Sequence, residues 1–244
     1  MSFINVEINQ DMNEDNFQYY ICGCKYYPKT KTLKFPREFN EELYKDFFIE
    51  EIENIFFGSR YNQEIKENVL PKNLLTIKFC MDYNQEIKEN VLPDTLQILH
   101  FGSFFDKEIK ENVLPKNLHT LIFFEVFNQE IKENILPHNL HTLQLSDHYN
   151  HKLKENVLPN NLHTLIFGAS YNKEINENIL PNSLCILRFN SCFNQPIKEN
   201  VLPNSLYEIE FGYFFYFTFI YAFLKKIFFV DIFYFLDTNK IKEL

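Results

Sequence analysis

Hydrophobic positions recur along this chain with a fixed period of 22 residues. An aromatic residue followed by Asn or Asp opens each unit, and a Leu-x-x-apolar-x-apolar segment closes it. The opening aromatic residues are Tyr61, Tyr83, Phe105, Phe127, Tyr149, Tyr171 and Phe193. A fixed period of this length predicts a solenoid, in which each unit buries its apolar face against its neighbours.

The closing segment of each unit predicts one short β-strand. Within Leu140–Leu145, the last four residues alternate polar and apolar, which is typical of a half-buried strand. The same segment recurs at Leu74–Phe79, Leu96–Phe101, Leu118–Phe123, Leu162–Phe167, Leu184–Phe189 and Leu206–Phe211. Stacking these segments rung upon rung predicts a parallel sheet along one side of the coil.

A proline lies shortly before each predicted strand and restricts the secondary structure of the rest of the unit. These residues are Pro71, Pro93, Pro115, Pro137, Pro159, Pro181 and Pro203. Proline breaks helices and disfavours helix at the residue before it. We therefore expect a β-rich solenoid, similar to a leucine-rich repeat, with irregular or 3₁₀ segments on the convex side.

Asparagine recurs in two columns, one per unit in each. The first column is Asn62, Asn84, Asn128, Asn150, Asn172 and Asn194, with Asp106 in its gap. The second column is Asn68, Asn90, Asn112, Asn134, Asn156, Asn178 and Asn200. Asparagine side chains can bond backbone groups that turns leave unpaired. We therefore expect asparagine ladders between coils, and we keep a row of ligand-binding amides as the alternative.

The repeat also divides the chain. Residues 61–212 form an array of seven units, and residues 17–60 are expected to be degenerate capping repeats, because Phe39-Asn40 continues the period upstream. Residues 1–16 form a polar segment without the features of a signal peptide. Residues 213–244 form an aromatic-rich tail.

The tail permits three interpretations. Its uncharged run, residues 213–224, is shorter than the roughly 20 apolar residues of a spanning helix. We favour a cap that covers the last coil. Peripheral membrane association through residues 213–236 and an extension without a defined role are the alternatives.

Charge and cysteine content restrict the partner and the compartment. The net charge is −9, so the chain lacks the basic surface that nucleic-acid binding needs, and we expect no nucleic-acid partner. The 5 cysteines are odd in number and out of register with the repeat, which argues against a disulfide framework and favours an intracellular, cytoplasmic location. Cys22-Gly23-Cys24 is interpreted as a plain thiol pair rather than half of a metal site.

No residue pattern indicates catalysis or a cofactor. No nucleophile, base and orienting group occur at suggestive spacing, and no glycine-rich phosphate loop is present. His119, His141 and His163 recur at one position, but duplication of an Asn-Leu-His-Thr-Leu block accounts for them without a metal. We expect no enzyme activity, no metal and no cofactor.

Lysine–glutamate pairs recur in the turns. They are Lys66-Glu67, Lys88-Glu89, Lys110-Glu111, Lys132-Glu133, Lys154-Glu155 and Lys198-Glu199. We interpret them as solvated turn residues that contribute little to stability.

One unit spells the motif that names a known family. Phe193-Asn194-Gln195-Pro196-Ile197, with the Leu-Pro-x-x-Leu stretch that follows it, resembles the FNIP repeat family, and the resemblance covers residues 27–212. It implies a solenoid similar to leucine-rich repeats, of a kind found in amoebae and their giant viruses, acting in protein–protein interaction. Some members carry an F-box, which implies a substrate-recruiting adapter of ubiquitination as an alternative. The in-register unit at Phe39 occupies the stretch that an F-box would need.

The side chains that alternate with the inward strand residues form the candidate binding face. They are Thr76, Lys78, Ile98, His100, Thr120, Ile122, Thr142, Gln144, Thr164, Ile166, Ile186, Arg188, Glu208 and Glu210. They vary far more than the inward positions do. We expect a non-enzymatic scaffold that binds a protein partner there, and a solvated sheet without a binding role is the alternative.

Overall fold

The computed structural model describes residues 19–21 and 23–212. The polar segment 1–16 lies outside the described residues, as do residues 17, 18 and 22 of the expected caps. The tail 213–244 also lies outside them, together with both the cap and the membrane anchor that were considered for it.

The described residues form one sheet of eleven short strands, whose order in the sheet is their order in the chain. The strands are β1 (Tyr19–Ile21), β2 (Cys24–Tyr27), β3 (Thr32–Lys34), β4 (Asn54–Phe56), β5 (Thr76–Lys78), β6 (Ile98–His100), β7 (Thr120–Ile122), β8 (Thr142–Gln144), β9 (Thr164–Ile166), β10 (Ile186–Arg188) and β11 (Glu208–Glu210). From β3 onward each strand pairs parallel with the next.

The register of the sheet follows directly from the 22-residue period. Ile77 lies opposite Leu99, and Leu99 lies opposite Leu121; all three are buried. A slip by one residue would turn these side chains to the solvent, so their burial specifies the pairing. The predicted parallel-sheet solenoid, similar to a leucine-rich repeat, is confirmed.

The interior of the coil is a stack of side chains from successive rungs. The rings of Phe79 and Tyr83 lie 3.8 Å apart within one rung, and the ring of Tyr83 lies parallel to that of Tyr61 on the preceding rung at 6.0 Å. In the unit that begins at Tyr149, seven apolar side chains are buried: Tyr149, Leu153, Val157, Leu158, Leu162, Leu165 and Phe167. Because each rung packs only on its two neighbours, contacts between rungs hold the fold together.

The first asparagine column forms the expected ladder. Each side-chain Oδ1 accepts a hydrogen bond from the backbone N–H of the equivalent residue on the next rung. The bonds join Asn40 to Asn62, Asn62 to Asn84, Asn84 to Asp106, Asp106 to Asn128, Asn128 to Asn150, Asn150 to Asn172 and Asn172 to Asn194, at 2.8–3.1 Å. This column lies outside the sheet, and the ladder gives it one hydrogen bond between each coil and the next.

The second asparagine column does not form a ladder, so that expectation is wrong. Its residues adopt the left-handed conformation, with φ between 59° and 64°: Asn68, Asn90, Asn112, Asn134, Asn156, Asn178 and Asn200. Their side chains are exposed and make no hydrogen bond within the described residues. Asparagine tolerates this conformation better than most residues, so the backbone of a sharp turn accounts for the column.

The N-terminal end departs from the repeat. β1, β2 and β3 pair antiparallel, so this part of the expected capping repeats is a meander rather than a parallel stack. Pro28–Thr30 forms a 3₁₀ helix between β2 and β3. The convex segments of the repeats contain turns rather than 3₁₀ helix, so the irregular alternative applies to them.

Candidate functional site

The fourteen candidate residues lie on one face of the sheet in two straight rows. The first row runs through Thr76, Ile98, Thr120, Thr142, Thr164, Ile186 and Glu208. The second row runs through Lys78, His100, Ile122, Gln144, Ile166, Arg188 and Glu210. Neighbours in each row are register partners on adjacent strands, which are about 4.8 Å apart in a sheet.

Most of these side chains are half-buried, because neighbours in the row cover their sides. Thr76 is the exception, with 8% of its surface exposed. It offers a partner little surface, although its place in the first row is as expected.

The second row extends further toward the N-terminus than the sequence suggested. Lys25, Lys34 and Phe56 precede Lys78 in the same register. They were missed because the repeat is degenerate there. From β2 onward the row therefore begins with lysines, passes through uncharged residues from His100 to Ile166 and ends with Arg188 and Glu210.

The basic end of the row contains cation–π contacts. The Nζ atoms of Lys34 and Lys78 lie 5.8 and 5.2 Å from the centre of the Phe56 ring. Lys34 Nζ also lies 4.9 Å from the centre of the Tyr27 ring. Such contacts are attractive and orient the lysine stems while the ammonium groups keep donors for other partners.

His100 follows Lys78 in the row and is neutral at physiological pH. Burial, assisted by the positive charge of Lys78, lowers the pKa of His100 from 6.5 to about 4. Its ring packs edge-on against Phe124, with ring centres 6.4 Å apart. The imidazole therefore behaves as a polar, uncharged part of the face.

The acidic end of the row is neutralised in part by one arginine. Arg188 donates to Glu208 Oε1 through Nε at 2.9 Å and through Nη2 at 2.6 Å. Its Nε also lies 3.4 Å from Glu210 Oε2. One carboxylate charge remains in excess at this end.

Three exposed apolar side chains border the basic end on the loops that follow the strands. Met81, Phe104 and Phe124 are 50%, 46% and 44% exposed. The Phe104 N–H donates to the Met81 carbonyl at 2.9 Å, so these two lie on adjacent rungs. We call these three residues the apolar shelf. A groove of about 560 Å³, lined by Glu38, Asn40, Arg60, Asn62, Asp82, Asn84 and Phe104, runs beside it.

The turn lysines pair between coils, so the expectation of simple solvated Lys–Glu neighbours was incomplete. Lys66 pairs with Glu42 of the preceding coil. The same contact occurs at 2.5–2.6 Å in Lys88–Glu64, Lys110–Glu86, Lys132–Glu108, Lys154–Glu130 and Lys198–Glu174. The ladder lacks one step, because Asn176 occupies the lysine position there. Lys152 occupies the glutamate position that this step would use, so the asparagine avoids two facing lysines.

The histidine column lies just outside the sheet face. The ring centres of His119 and His141 are 5.1 Å apart, as are those of His141 and His163. Nδ1 of His141 and of His163 lies 2.7 Å from a backbone carbonyl oxygen two residues earlier, to which it donates as the protonated nitrogen. Within residues 19–21 and 23–212, no three His, Cys, Asp or Glu side chains are arranged to hold a metal ion.

Comparison with known proteins finds a matching family model and a similar solved structure. A family model described as FNIP Repeat matches residues 39–81, 83–125, 127–170 and 171–214. The crystal structure of CroV588, a giant-virus protein described as a novel circular LRR protein, aligns at 47% identity with a TM-score of 0.73. No curated protein matches the chain.

The alignment with CroV588 covers 75% of this chain and 27% of that protein, so the chain spans about a quarter of the length of its neighbour. Repeat folds similar to leucine-rich repeats commonly mediate protein interactions, and such scaffolds are generally non-enzymatic. In the described part of the chain, no helix has the length and apolar character needed to cross a membrane.

Proposed function

Because the chain belongs to the FNIP repeat family, we propose that it is a non-enzymatic scaffold that binds another protein through its sheet face. The observation that carries the proposal is the contrast between the two sides of each strand. The inward residues are Ile or Leu on every repeat rung, whereas the outward residues range from Lys through Ile to Glu. A variable surface on a constant frame is what recognition requires.

The proposal includes the partner class and the compartment. The partner is a protein rather than a nucleic acid, because a net charge of −9 repels phosphate backbones over most of the surface. The encounter takes place in the cytoplasm, because five cysteines out of register with the repeat suit a reducing compartment.

The test replaces four side chains of the second row together with alanine and compares the captured proteins. The face variant changes Lys78, His100, Gln144 and Arg188. The control changes four exposed turn residues off the face: Lys72, Lys116, Asn160 and Asn182. Both variants lose two positive charges and two uncharged polar groups, so the control matches the change in charge.

We expect the face variant to lose specific partners and the control to retain them, in pull-downs from cells that contain the full chain. Circular dichroism establishes that both variants are folded. Equal capture by a folded face variant would exclude these side chains as the binding surface.

A further inference from the structure

The basic end of the sheet face concentrates positive charge that no described residue neutralises. Six turn lysines on the repeats each pair with a glutamate of the preceding coil. By contrast, no described carboxylate lies within ion-pairing distance of Lys25, Lys34 or Lys78. The net charge of the chain is −9, so three lysines in one row without an ion pair among the described residues mark a site of opposite charge.

The geometry of the lysines suits an extended chain. Lys34 and Lys78 are two strands apart and share the Phe56 ring between them. Two strand spacings amount to about 10 Å, and an extended peptide advances about 3.3 Å per residue. Carboxylates about three residues apart on a peptide that crosses the strands would therefore reach both ammonium groups.

A peptide fits this surface better than a second copy of the chain does. The strands are three residues wide, or about 10 Å, and the row from β2 to β11 is about 43 Å long. The sheet face therefore offers about 400 Å², roughly half of the 800 Å² per partner that a stable protein–protein interface buries. An extended segment needs only such a narrow strip.

The surroundings also favour a peptide over a nucleic acid. The apolar shelf of Met81, Phe104 and Phe124 lies next to the basic end, because Phe124 packs against His100, the neighbour of Lys78 in the row. Two carboxylates, Asp82 and Glu125, follow Met81 and Phe124 in the same loops, and neither has an ion-pair partner among the described residues. A nucleic acid carries a charge at every phosphate and would bring some of them against these carboxylates. A peptide can place acidic residues on the row and an apolar residue on the shelf.

We propose that the basic end of the sheet face binds an extended acidic segment of a partner protein, with carboxylates on Lys25, Lys34 and Lys78 and an apolar side chain on the shelf. This inference rests on the proposed function and specifies the chemistry of the partner.

The test measures fluorescence anisotropy of labelled probes with the full chain. The acidic probe is a twelve-residue peptide of four Glu-Asp-Phe repeats. The comparison probes are four Lys-Arg-Phe repeats and a twelve-nucleotide oligothymidylate. The binding-site variant is Lys34→Glu with Lys78→Glu, and the control is Lys72→Glu with Lys116→Glu, which changes the net charge equally off the face.

We expect the acidic peptide to bind the unmodified chain at least tenfold more tightly than either comparison probe. The binding-site variant should weaken that binding at least tenfold and the control less than twofold. If the glutamate pair impairs folding, Lys34→Gln with Lys78→Gln should still weaken binding at least threefold. Phe124→Ser should weaken binding of the acidic peptide and leave the oligonucleotide unaffected.

Equal weakening by both charge-reversal variants would overturn the inference, because only the overall charge would then matter. Tighter binding of the oligonucleotide or of the basic peptide would overturn it as well, as would the absence of saturable binding by the acidic peptide. None of these results removes the sheet face as a protein-binding surface, because the four-residue face variant tests that separately.

Discussion

The two asparagine columns should respond in opposite ways to the same substitution. Asn84 belongs to the ladder, where its Oδ1 accepts the Asp106 N–H at 3.0 Å. Asn90 lies six residues further on, at a left-handed turn position with φ 61°. Glycine removes a side-chain acceptor at the first position, whereas at the second it supplies the residue that this conformation prefers.

The magnitudes follow from these roles. Asn84→Gly leaves a partly buried N–H without its partner, which costs about 1–3 kcal/mol. The flexibility of glycine in the unfolded chain adds about 0.5–1 kcal/mol. We therefore expect a loss of about 1.5–4 kcal/mol in the free energy of unfolding. Asn90→Gly should change it by less than about 1 kcal/mol, because the relief of left-handed strain offsets that flexibility.

A second pair of variants isolates the hydrogen bond from backbone effects. Asn84→Asp keeps the acceptor, as Asp106 does naturally toward the Asn128 N–H at 2.9 Å, and should cost less than about 1 kcal/mol. Asn90→Ala keeps a Cβ at a left-handed position and should cost about 1–2 kcal/mol. Urea unfolding followed by far-ultraviolet circular dichroism measures all four variants. Equal losses for the two glycine variants, or equal losses for Asn84→Gly and Asn84→Asp, would refute the assignment of roles.

Three further outcomes concern substitutions of single residues. The pKa of His100 is near 4 in the folded chain and 6.5 when the ring is exposed. The neutral ring therefore contributes its stability in full above pH 6.5, and this contribution is lost as the pH falls toward 4. In urea titrations, the free energy of unfolding of His100→Gln relative to the unmodified protein should be about 1–2 kcal/mol higher at pH 4.5 than at pH 7, after a discount for solvent screening. Tyr83→Phe should stabilise the fold by about 1 kcal/mol, because the buried Tyr83 hydroxyl has no partner among the described residues. Tyr149→Phe should not stabilise it, because the Ile131 N–H donates to the Tyr149 hydroxyl. Gly102→Ala should lower the free energy of unfolding by more than about 2 kcal/mol in thermal melts, because its Cβ would lie 1.6 Å from a carbonyl oxygen of the preceding rung.

The repeat period made most of the fold predictable, because it determines which residues stack. Leu74, Leu96 and Leu118 occupy one position of three successive units, and all three are buried. The period does not determine what each stacked residue does. Asn62 and Asn68 recur equally, yet one accepts a backbone hydrogen bond from the next rung and the other adopts a left-handed turn.

Long side chains and degenerate units were the least predictable parts. Lys88 is next to Glu89 in sequence, but its ammonium group reaches Glu64 on the preceding coil. The antiparallel β1–β3 meander lies where the repeat pattern is lost, and Gly23 and Pro28, at its two connections, were not interpreted as turn residues. Lys34 and Phe56 were missed as members of the second row for the same reason.

The candidate face was predictable as a set of positions, because strand alternation separates inward from outward residues. Gln144 and Ile166 lie in one row as the alternation required. The sequence does not show that the face binds anything, because outward positions also vary on a sheet that only faces water. That part of the account stays a prediction.

Site-specific photo-crosslinking in cells tests the central claim most directly. A photoreactive amino acid replaces either Gln144, on the sheet face, or Glu111, in the turn midway between two strands, in otherwise unmodified full-length protein. The account predicts that discrete protein adducts form from position 144 and are absent or much weaker from position 111. Adducts that form equally from both positions, or from position 111 alone, would contradict binding through the sheet face.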